Sequence, residues 1–216
     1  GTTCNNLKEI AEIAKKKDIL ILSDEIYTDL TFKNSYESIS KYYPEGTFIS
    51  SGLSKWCGAG GWRLGFFAVP NKYEEFLKNL KTLASETYST VNTPTQYAAV
   101  EAYQGDHKDY LHKTTNILGS IGDYVYNKLK SNKILINKPQ GGFYLMPEFT
   151  NKKFKSSSQL CQKILEDTGV ALLPGSDFGF KPKKMLARLS YTDFDGSEFL
   201  NNTNVNTVID DTLIMK

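Results

Sequence analysis

The sequence predicts an α/β protein, and three patterns lead to that prediction. Residues 19–22, Ile-Leu-Ile-Leu, form a continuous apolar run that is typical of a parallel strand buried on both faces. Two further apolar runs, residues 47–49 and 66–69, flank a glycine-rich loop that contains Lys55. From residue 134 onwards, strand patterns alternate with a helix pattern. We therefore expect mostly parallel strands with flanking helices in the first part and a second, smaller α/β part.

The remaining elements follow from apolar periodicity and from end signals. In the first half, helices are expected at residues 6–17 and 72–86, and a third helix opens at Thr93, which we take as its cap. The apolar stripe of the 72–86 helix is expected to lie in the core. After a break at Gly105, residues 108–130 are predicted to form one long helix. The predicted elements beyond it are strands at 134–136, 143–145 and 170–173, a helix at 157–168, a short strand around Arg188, and a helix after Asp195.

Composition narrows the class of function. The chain has 216 residues, of which 40% are hydrophobic and 23% are charged, and these values are ordinary for a globular protein. The formal net charge is +2 and the lysines are spread along the chain, so we expect neither a nucleic-acid patch nor a polybasic membrane segment. No apolar run reaches the roughly 18–20 residues that span a bilayer.

The cysteines indicate the compartment. Cys4, Cys57 and Cys161 are odd in number and widely spaced, which matches no metal-ligand pattern and predicts a reducing, cytoplasmic setting. No histidine stands close to Cys57 in the sequence, so we interpret this residue as a loop filler rather than as a nucleophile. No metal site is expected.

The loop around Lys55 is the first candidate site. Lys55 lies in a turn of small residues, and Arg63 follows eight positions later among several glycines. A lysine taken alone is most often a solvated surface charge. However, the chain has only two arginines, Arg63 and Arg188, among 26 basic residues, and a guanidinium binds phosphate or carboxylate through paired hydrogen bonds. For Arg188, the alternative is a surface cation on an edge strand.

A dinucleotide-binding loop is excluded at this position. The glycines Gly58 and Gly60 are followed by Arg63 where the third glycine of that loop belongs. The expected acidic residue about twenty positions further on is also missing.

Asp24 is the second candidate. It directly follows the apolar run 19–22, and open α/β sheets bind their ligands at the carboxyl ends of such strands. An aspartate at this place is also common as a simple helix cap. We interpret its neighbour Glu25 as structural, and Tyr27 completes the motif Asp-Glu-x-Tyr.

These segments together resemble the fold type I pyridoxal-phosphate enzymes of the class I/II aminotransferase family. In that family, a serine-rich turn carries the lysine that forms a Schiff base with the cofactor, and Gly-Trp-Arg-Leu-Gly follows it. Lys55 and Arg63 match both positions, and the Asp-Glu-x-Tyr motif matches through Asp24 and Tyr27. Arg188 matches the family's Arg-Leu-Ser position.

The resemblance implies a role for each matching residue. Lys55 would hold pyridoxal phosphate and act as general base and acid, Asp24 would pair with the ring nitrogen, and Tyr27 would bond the phenolic oxygen. Arg63 would bind the phosphate. Some members have a phosphate-contacting serine three residues before the lysine, where this chain has Gly52, so Ser51 or Ser54 would take that role. Arg188 would bind the substrate carboxylate.

The resemblance also implies an architecture and a reaction. Residues 1–105 would form the second half of a cofactor-binding large domain, and residues 106–216 a small C-terminal domain, in a homodimer. The substrates would be an α-amino acid and a 2-oxo acid. Gly1 resembles the end of a family loop whose asparagine precedes it, so we expect a C-terminal portion that alone binds the cofactor poorly and is inactive. The alternatives are a lyase or synthase that uses the same cofactor, for example a carbon–sulfur β-lyase, and a non-catalytic remnant of the fold.

Overall fold

The computed structural model describes residues 4–32, 36–150, 153–204, 207, 209–210 and 214. The chain divides into two compact units, residues 1–111 and residues 112–216, and each is described by itself. Among the described residues, none of the helices combines the length and the apolar character needed to cross a membrane.

The first unit is built on a three-stranded sheet with helices around it. Strand β2 (Thr47–Gly52) lies in the middle, with β1 (Ile21–Asp24) parallel to it on one side and β3 (Gly65–Ala68) antiparallel on the other. The elements in chain order are α1 (Cys4–Lys16), β1 (Ile21–Asp24), β2 (Thr47–Gly52), β3 (Gly65–Ala68), α2 (Glu74–Thr87) and α3 (Thr93–Gln104). A further helix, α4 (Lys108–Leu129), spans the division between the units.

Two apolar clusters lie among the described residues of this unit. In one, Ala11 and Ala14 of α1 pack with Ile39 and Tyr43, which lie in the segment between β1 and β2. In the other, the ring of Phe48 in β2 contacts the rings of its three aromatic neighbours. These are Phe67 at 5.8 Å, Tyr73 at 5.2 Å and Phe76 at 5.7 Å between centroids.

Much of the apolar surface of this unit is exposed, contrary to two expectations. The run 19–22 was expected to be a strand buried on both faces, but Leu22 is 67% exposed and β1 begins only at Ile21. The apolar stripe of α2 was expected to be core, but no described residue of this helix is buried, and Leu83 is 59% exposed. In β1 the exposed residues alternate with half-buried ones, so the described residues leave one face of this strand uncovered.

The second unit contains two small sheets. Strand β8 (Ala187–Ser190) is the middle strand of a three-stranded sheet, between β5 (Tyr144–Leu145) and β7 (Leu173–Pro174), and it is antiparallel to both. Strands β4 (Ile134–Leu135) and β6 (Glu148–Phe149) form an antiparallel pair. Arg188 therefore lies on a central strand and not on an edge strand. The elements are β4 (Ile134–Leu135), β5 (Tyr144–Leu145), β6 (Glu148–Phe149), α5 (Ser157–Thr168), β7 (Leu173–Pro174), β8 (Ala187–Ser190) and α6 (Gly196–Asn202).

The helix ends show which sequence signals were reliable. Helix α5 has the expected bounds, because the Ser156 side chain caps its first turn and Gly169 ends it with a φ of 76°. Helix α3 was expected to use Thr93 as its cap, and this is wrong. The Asn92 side chain accepts a hydrogen bond from the Thr95 amide at 3.0 Å and another from the Thr95 hydroxyl at 2.8 Å.

Candidate active site

The segment from Asp24 to Tyr27 lies at the carboxyl end of β1, beside the end of β2. Asp24 is in register with Ser50, and the Glu25 amide donates to the Ser50 carbonyl at 2.7 Å. The Ser51 hydroxyl donates to the Glu25 carbonyl at 3.3 Å. These bonds hold the Asp-Glu-x-Tyr motif against the strand that leads into the Lys55 loop.

Lys55 occupies a compact turn directly after β2. The Leu53 amide donates to the Leu64 carbonyl at 3.2 Å, and the Ala59 amide donates to the Leu53 carbonyl at 3.2 Å, so the loop is closed at its base. The Lys55 Nζ lies 5.9 Å from the centroid of the Tyr27 ring. The fold thus places these two predicted site residues side by side, although 28 positions separate them in the sequence.

The base of the Lys55 turn also packs against helix α3. This contact was not predicted from the sequence. Trp56 is only 7% exposed, and its ring lies 6.2 Å from the ring of Tyr103 and 5.9 Å from that of His107. Burial raises the pKa of Tyr103, and the neighbouring Cys57 and Asp29 contribute in the same direction. A tryptophan directly after a candidate lysine is the sequence signal that could have indicated this anchoring.

Gly52 is required by the close approach of β2 and β3. A Cβ atom at this position would lie 2.7 Å from the Leu64 carbonyl oxygen and 2.8 Å from the Gly65 Cα. Both are backbone atoms, so the chain cannot accept a side chain here without moving a strand. This explains why the chain has glycine where some members of the resembled family have serine.

The two candidate serines differ in what their hydroxyl groups do. The Ser51 hydroxyl donates to the Glu25 carbonyl, which commits its single proton to linking two loops. Ser54 is partly buried beside Lys55, and among the described residues its hydroxyl makes no hydrogen bond. Of the two, Ser54 is therefore the one whose hydroxyl proton remains available to a ligand.

Arg63 stands at the end of a short 3-10 turn, Gly60–Trp62, in the left-handed backbone region with a φ of 55°. Its Nη1 donates to the Gly60 carbonyl at 2.7 Å, which fixes one end of the guanidinium on its own loop. Within the described part of the chain, no carboxylate lies at ion-pair distance from Arg63. The remaining N–H donors of this exposed group face solvent and can receive an anion.

The described residues place no counterion beside the Asp24 carboxyl group. One of its carboxylate oxygens accepts a hydrogen bond from the Ile26 amide at 3.3 Å, and no lysine or arginine of the described residues lies within 4.0 Å. The first unit thus contributes an amine, a carboxylate, a phenol and a guanidinium, from Lys55, Asp24, Tyr27 and Arg63. This set of groups fits pyridoxal phosphate, which presents an aldehyde, a ring nitrogen, a phenolic oxygen and a phosphate.

Glu25 has the structural position expected of it. Its carboxylate accepts a hydrogen bond from the Ser38 hydroxyl at 2.6 Å. Burial, together with a hydrogen bond to Glu25, raises the pKa of Tyr36 to about 12. Glu25 thus ties the segment between β1 and β2 to the candidate site.

Arg188 belongs to the second unit and was the one predicted site residue that lies outside the first. Its guanidinium Cζ is 4.5 Å from the centroid of the Tyr144 ring and 4.6 Å from that of Phe178. Among the described residues, no carboxylate lies within ion-pair distance of this partly buried cation. Neither ring was predicted from the sequence to contact Arg188.

Comparisons with known proteins agree on one family. A family model described as aminotransferase class I and II matches residues 2–198. The chain is 36% identical over 173 residues to the probable N-acetyl-LL-diaminopimelate aminotransferase of Bacillus subtilis, covering 80% of this chain and 42% of that protein. It is 33% identical over 206 residues to the aspartate aminotransferase of Geobacillus stearothermophilus, covering 91% of this chain and 51% of that protein.

The solved structures agree with the sequence comparisons. The alanine aminotransferase from Pyrococcus furiosus superposes with a TM-score of 0.78 at 31% identity, covering 87% of this chain and 48% of that chain. The chain spans about half the length of the curated relatives it matches.

Proposed function

The chain belongs to the class I and II aminotransferase family, and we propose that it contributes the candidate site of an enzyme that moves an amino group between an α-amino acid and a 2-oxo acid. Members of this family use pyridoxal phosphate. One geometric feature supports the proposal most directly. The Lys55 amine lies 5.9 Å from the Tyr27 ring, in a turn next to the end of the strand that carries Asp24.

Asp24 and Tyr27 are assigned to the ring of the cofactor. Bound here, pyridoxal phosphate would supply a protonated pyridine ring that withdraws electrons from the α-carbon of the amino acid. Asp24 has no counterion among the described residues, and a carboxylate beside the ring nitrogen favours its protonated form. The Tyr27 hydroxyl is assigned to the phenolic oxygen of the ring.

Lys55 is assigned two tasks. Its amine would hold the cofactor through the aldehyde group. The same amine is the group we assign to accept the proton of the substrate α-carbon and to return it. The four-carbon stem of lysine gives the amine the reach that this transfer needs, while the closed base of the loop and the packing of Trp56 fix the start of the stem.

Arg63 and Ser54 are assigned to the phosphate. The Arg63 guanidinium keeps free N–H donors after its bond to the Gly60 carbonyl, and a guanidinium binds phosphate through paired hydrogen bonds. Ser54 is preferred to Ser51 because the Ser51 proton is already donated to the Glu25 carbonyl. In the second unit, Arg188 is assigned to the substrate carboxylate.

Activity is proposed to require more polypeptide than the 216 residues. The first unit leaves apolar residues of β1 and α2 exposed, and patches of this kind mark surfaces that another segment covers. The relatives are about twice as long as the matched region, so we infer that the equivalent of their remaining half covers this surface. We further propose a homodimer in the cytosol, consistent with the free thiols of Cys57 and Cys161.

An activity assay with a matched pair of variants tests the assignment of Lys55. The protein is expressed from its whole coding sequence and given amino acid and 2-oxo acid pairs, and both products are identified. Lys55→Ala is expected to lower kcat by about 10²–10⁴-fold, the usual contribution of a positioned general base. Lys72→Ala is the control, because the Lys72 amine also lies beside a tyrosine ring, at 5.5 Å from Tyr73.

The products distinguish this proposal from its rivals. A new amino acid together with a new 2-oxo acid supports an aminotransferase. Release of ammonia instead would indicate a lyase, and activity that survives in Lys55→Ala would contradict the assignment of Lys55.

A further inference from the structure

The Arg188 guanidinium is supported by rings instead of by an acidic partner. Its Cζ lies over Tyr144 at 4.5 Å and over Phe178 at 4.6 Å, and no carboxylate of the described residues reaches it. A cation that is partly buried is ordinarily paired with an acid, because burial removes its hydration. Here the negative faces of two aromatic rings take that place.

The backbone explains how both rings reach the guanidinium. Tyr144 in β5 is in register with Ser190 in β8, so it is the diagonal neighbour of Arg188 on the same face of the sheet. Phe178 ends the short 3-10 turn Gly175–Phe178 directly after β7, the other neighbour of β8. The Gly175 amide donates to the Leu186 carbonyl at 2.7 Å, which ties that turn to the chain just before β8.

This arrangement leaves the hydrogen-bonding capacity of the guanidinium unused. Contact with a ring face restrains the plane of the group but consumes none of its five N–H donors, whereas an aspartate or glutamate partner would consume two of them. An acid would also compete with an incoming carboxylate for the same positive charge. Two rings thus restrain the orientation of the cation and keep it able to bind an anion.

We propose that Tyr144 and Phe178 are positioning residues that orient the Arg188 guanidinium for the carboxylate of the substrate. This inference rests on the proposed function, which assigns Arg188 to that carboxylate. Tyr144 and Phe178 act through Arg188 and do not themselves need to touch the substrate.

The test uses NMR of the 216-residue chain labelled with ¹⁵N-arginine. The chain has only two arginines, so two side-chain Nε–H signals are expected, and an Arg63→Lys variant assigns them. The ring currents of Tyr144 and Phe178 should shift the Arg188 signal upfield of the Arg63 signal. Phe178→Leu should remove much of that shift, whereas Tyr144→Phe, which keeps the ring, should preserve it.

Phe180→Leu is the matched control. Phe180 and Phe178 are similarly exposed, at 41% and 40%, and the Phe180 ring also faces a cation, the Lys184 amine at 5.3 Å. This substitution removes an equivalent ring and cation contact without touching Arg188. It should leave the Arg188 signal in place, so a general loss of structure is distinguished from loss of the aromatic support.

A titration with maleate, a simple dicarboxylate, then tests the positioning role of the two rings separately from the assignment of Arg188 to the substrate carboxylate. We expect maleate to move the wild-type Arg188 signal and Phe178→Leu to weaken this binding about fivefold, a typical size for one cation–π contact. Unchanged shift and affinity in Phe178→Leu would overturn the positioning role while leaving the proposed function intact. A ring-shifted Arg188 signal that maleate never moves would overturn the carboxylate assignment and the positioning role with it.

Discussion

Replacing Gly52 by alanine tests how closely β2 and β3 approach beside the Lys55 turn. The added Cβ would lie 2.7 Å from the Leu64 carbonyl oxygen and 2.8 Å from the Gly65 Cα, so a strand must shift to make room. Overpacking of this kind costs about 1–3 kcal/mol. We expect Gly52→Ala to lower the free energy of unfolding of the first unit by that amount.

Gly61→Ala is the matched control in the same loop. A Cβ at Gly61 would have no other heavy atom within 4 Å, and the residue has no positive φ that only glycine tolerates. Its substitution should change the free energy of unfolding by no more than about 0.5 kcal/mol. The two variants make the same chemical change, so their difference isolates the strand contact.

Urea unfolding followed by tryptophan fluorescence measures this difference. The chain has two tryptophans, Trp56 and Trp62, and both lie in the glycine-rich loop, so the signal reports on the first unit. With an m value of about 2 kcal/mol/M, a loss of 2 kcal/mol lowers the midpoint by about 1 M. Equal midpoints for Gly52→Ala and Gly61→Ala would refute the close approach of the two strands.

Two further substitutions test helix capping and a buried hydroxyl. Asn92→Ala should cost about 1 kcal/mol of stability in urea unfolding, because the Asn92 side chain caps α3 through Thr95, whereas Thr93→Ala should cost less than half as much. Tyr191→Phe should cost about 1 kcal/mol at neutral pH, because the Tyr191 hydroxyl donates to the Gly142 carbonyl at 3.1 Å. Burial raises the pKa of Tyr191 above its usual value near 10. The stabilisation is therefore complete below about pH 10 and is lost as pH rises further, so unfolding measured at alkaline pH should show a smaller decline in Tyr191→Phe. A Thr93→Ala loss as large as that of Asn92→Ala, or identical alkaline declines in both proteins, would contradict these expectations.

Local signals in the sequence were enough to predict several elements. Helix α5 begins after Ser156 and ends at Gly169 as expected, because a capping side chain and a left-handed glycine act within one turn. The glycine-rich loop between two strands was likewise predicted, since glycines and flanking apolar runs define it locally. The family itself was recognised from motifs within this loop and around Asp24.

Features that depend on distant residues escaped the sequence analysis. The apolar run 19–22 contains no signal for where strand pairing begins or which face a partner covers, and β1 is shifted by two residues and exposed. The support of Arg188 by Tyr144 joins residues 44 positions apart through strand register. Asn92 and Thr93 are both good caps, and only the backbone geometry selects between them.

Borohydride reduction of the protein expressed from its whole coding sequence, followed by peptide mapping, tests the central assignment most directly. Reduction fixes pyridoxal phosphate permanently to the amine that holds it, and mass spectrometry of the peptides identifies that amine. The assignment of Lys55 predicts a single pyridoxyl group on the peptide that contains Lys55. A protein without the group, or one in which it is spread over surface lysines such as Lys72, would contradict it.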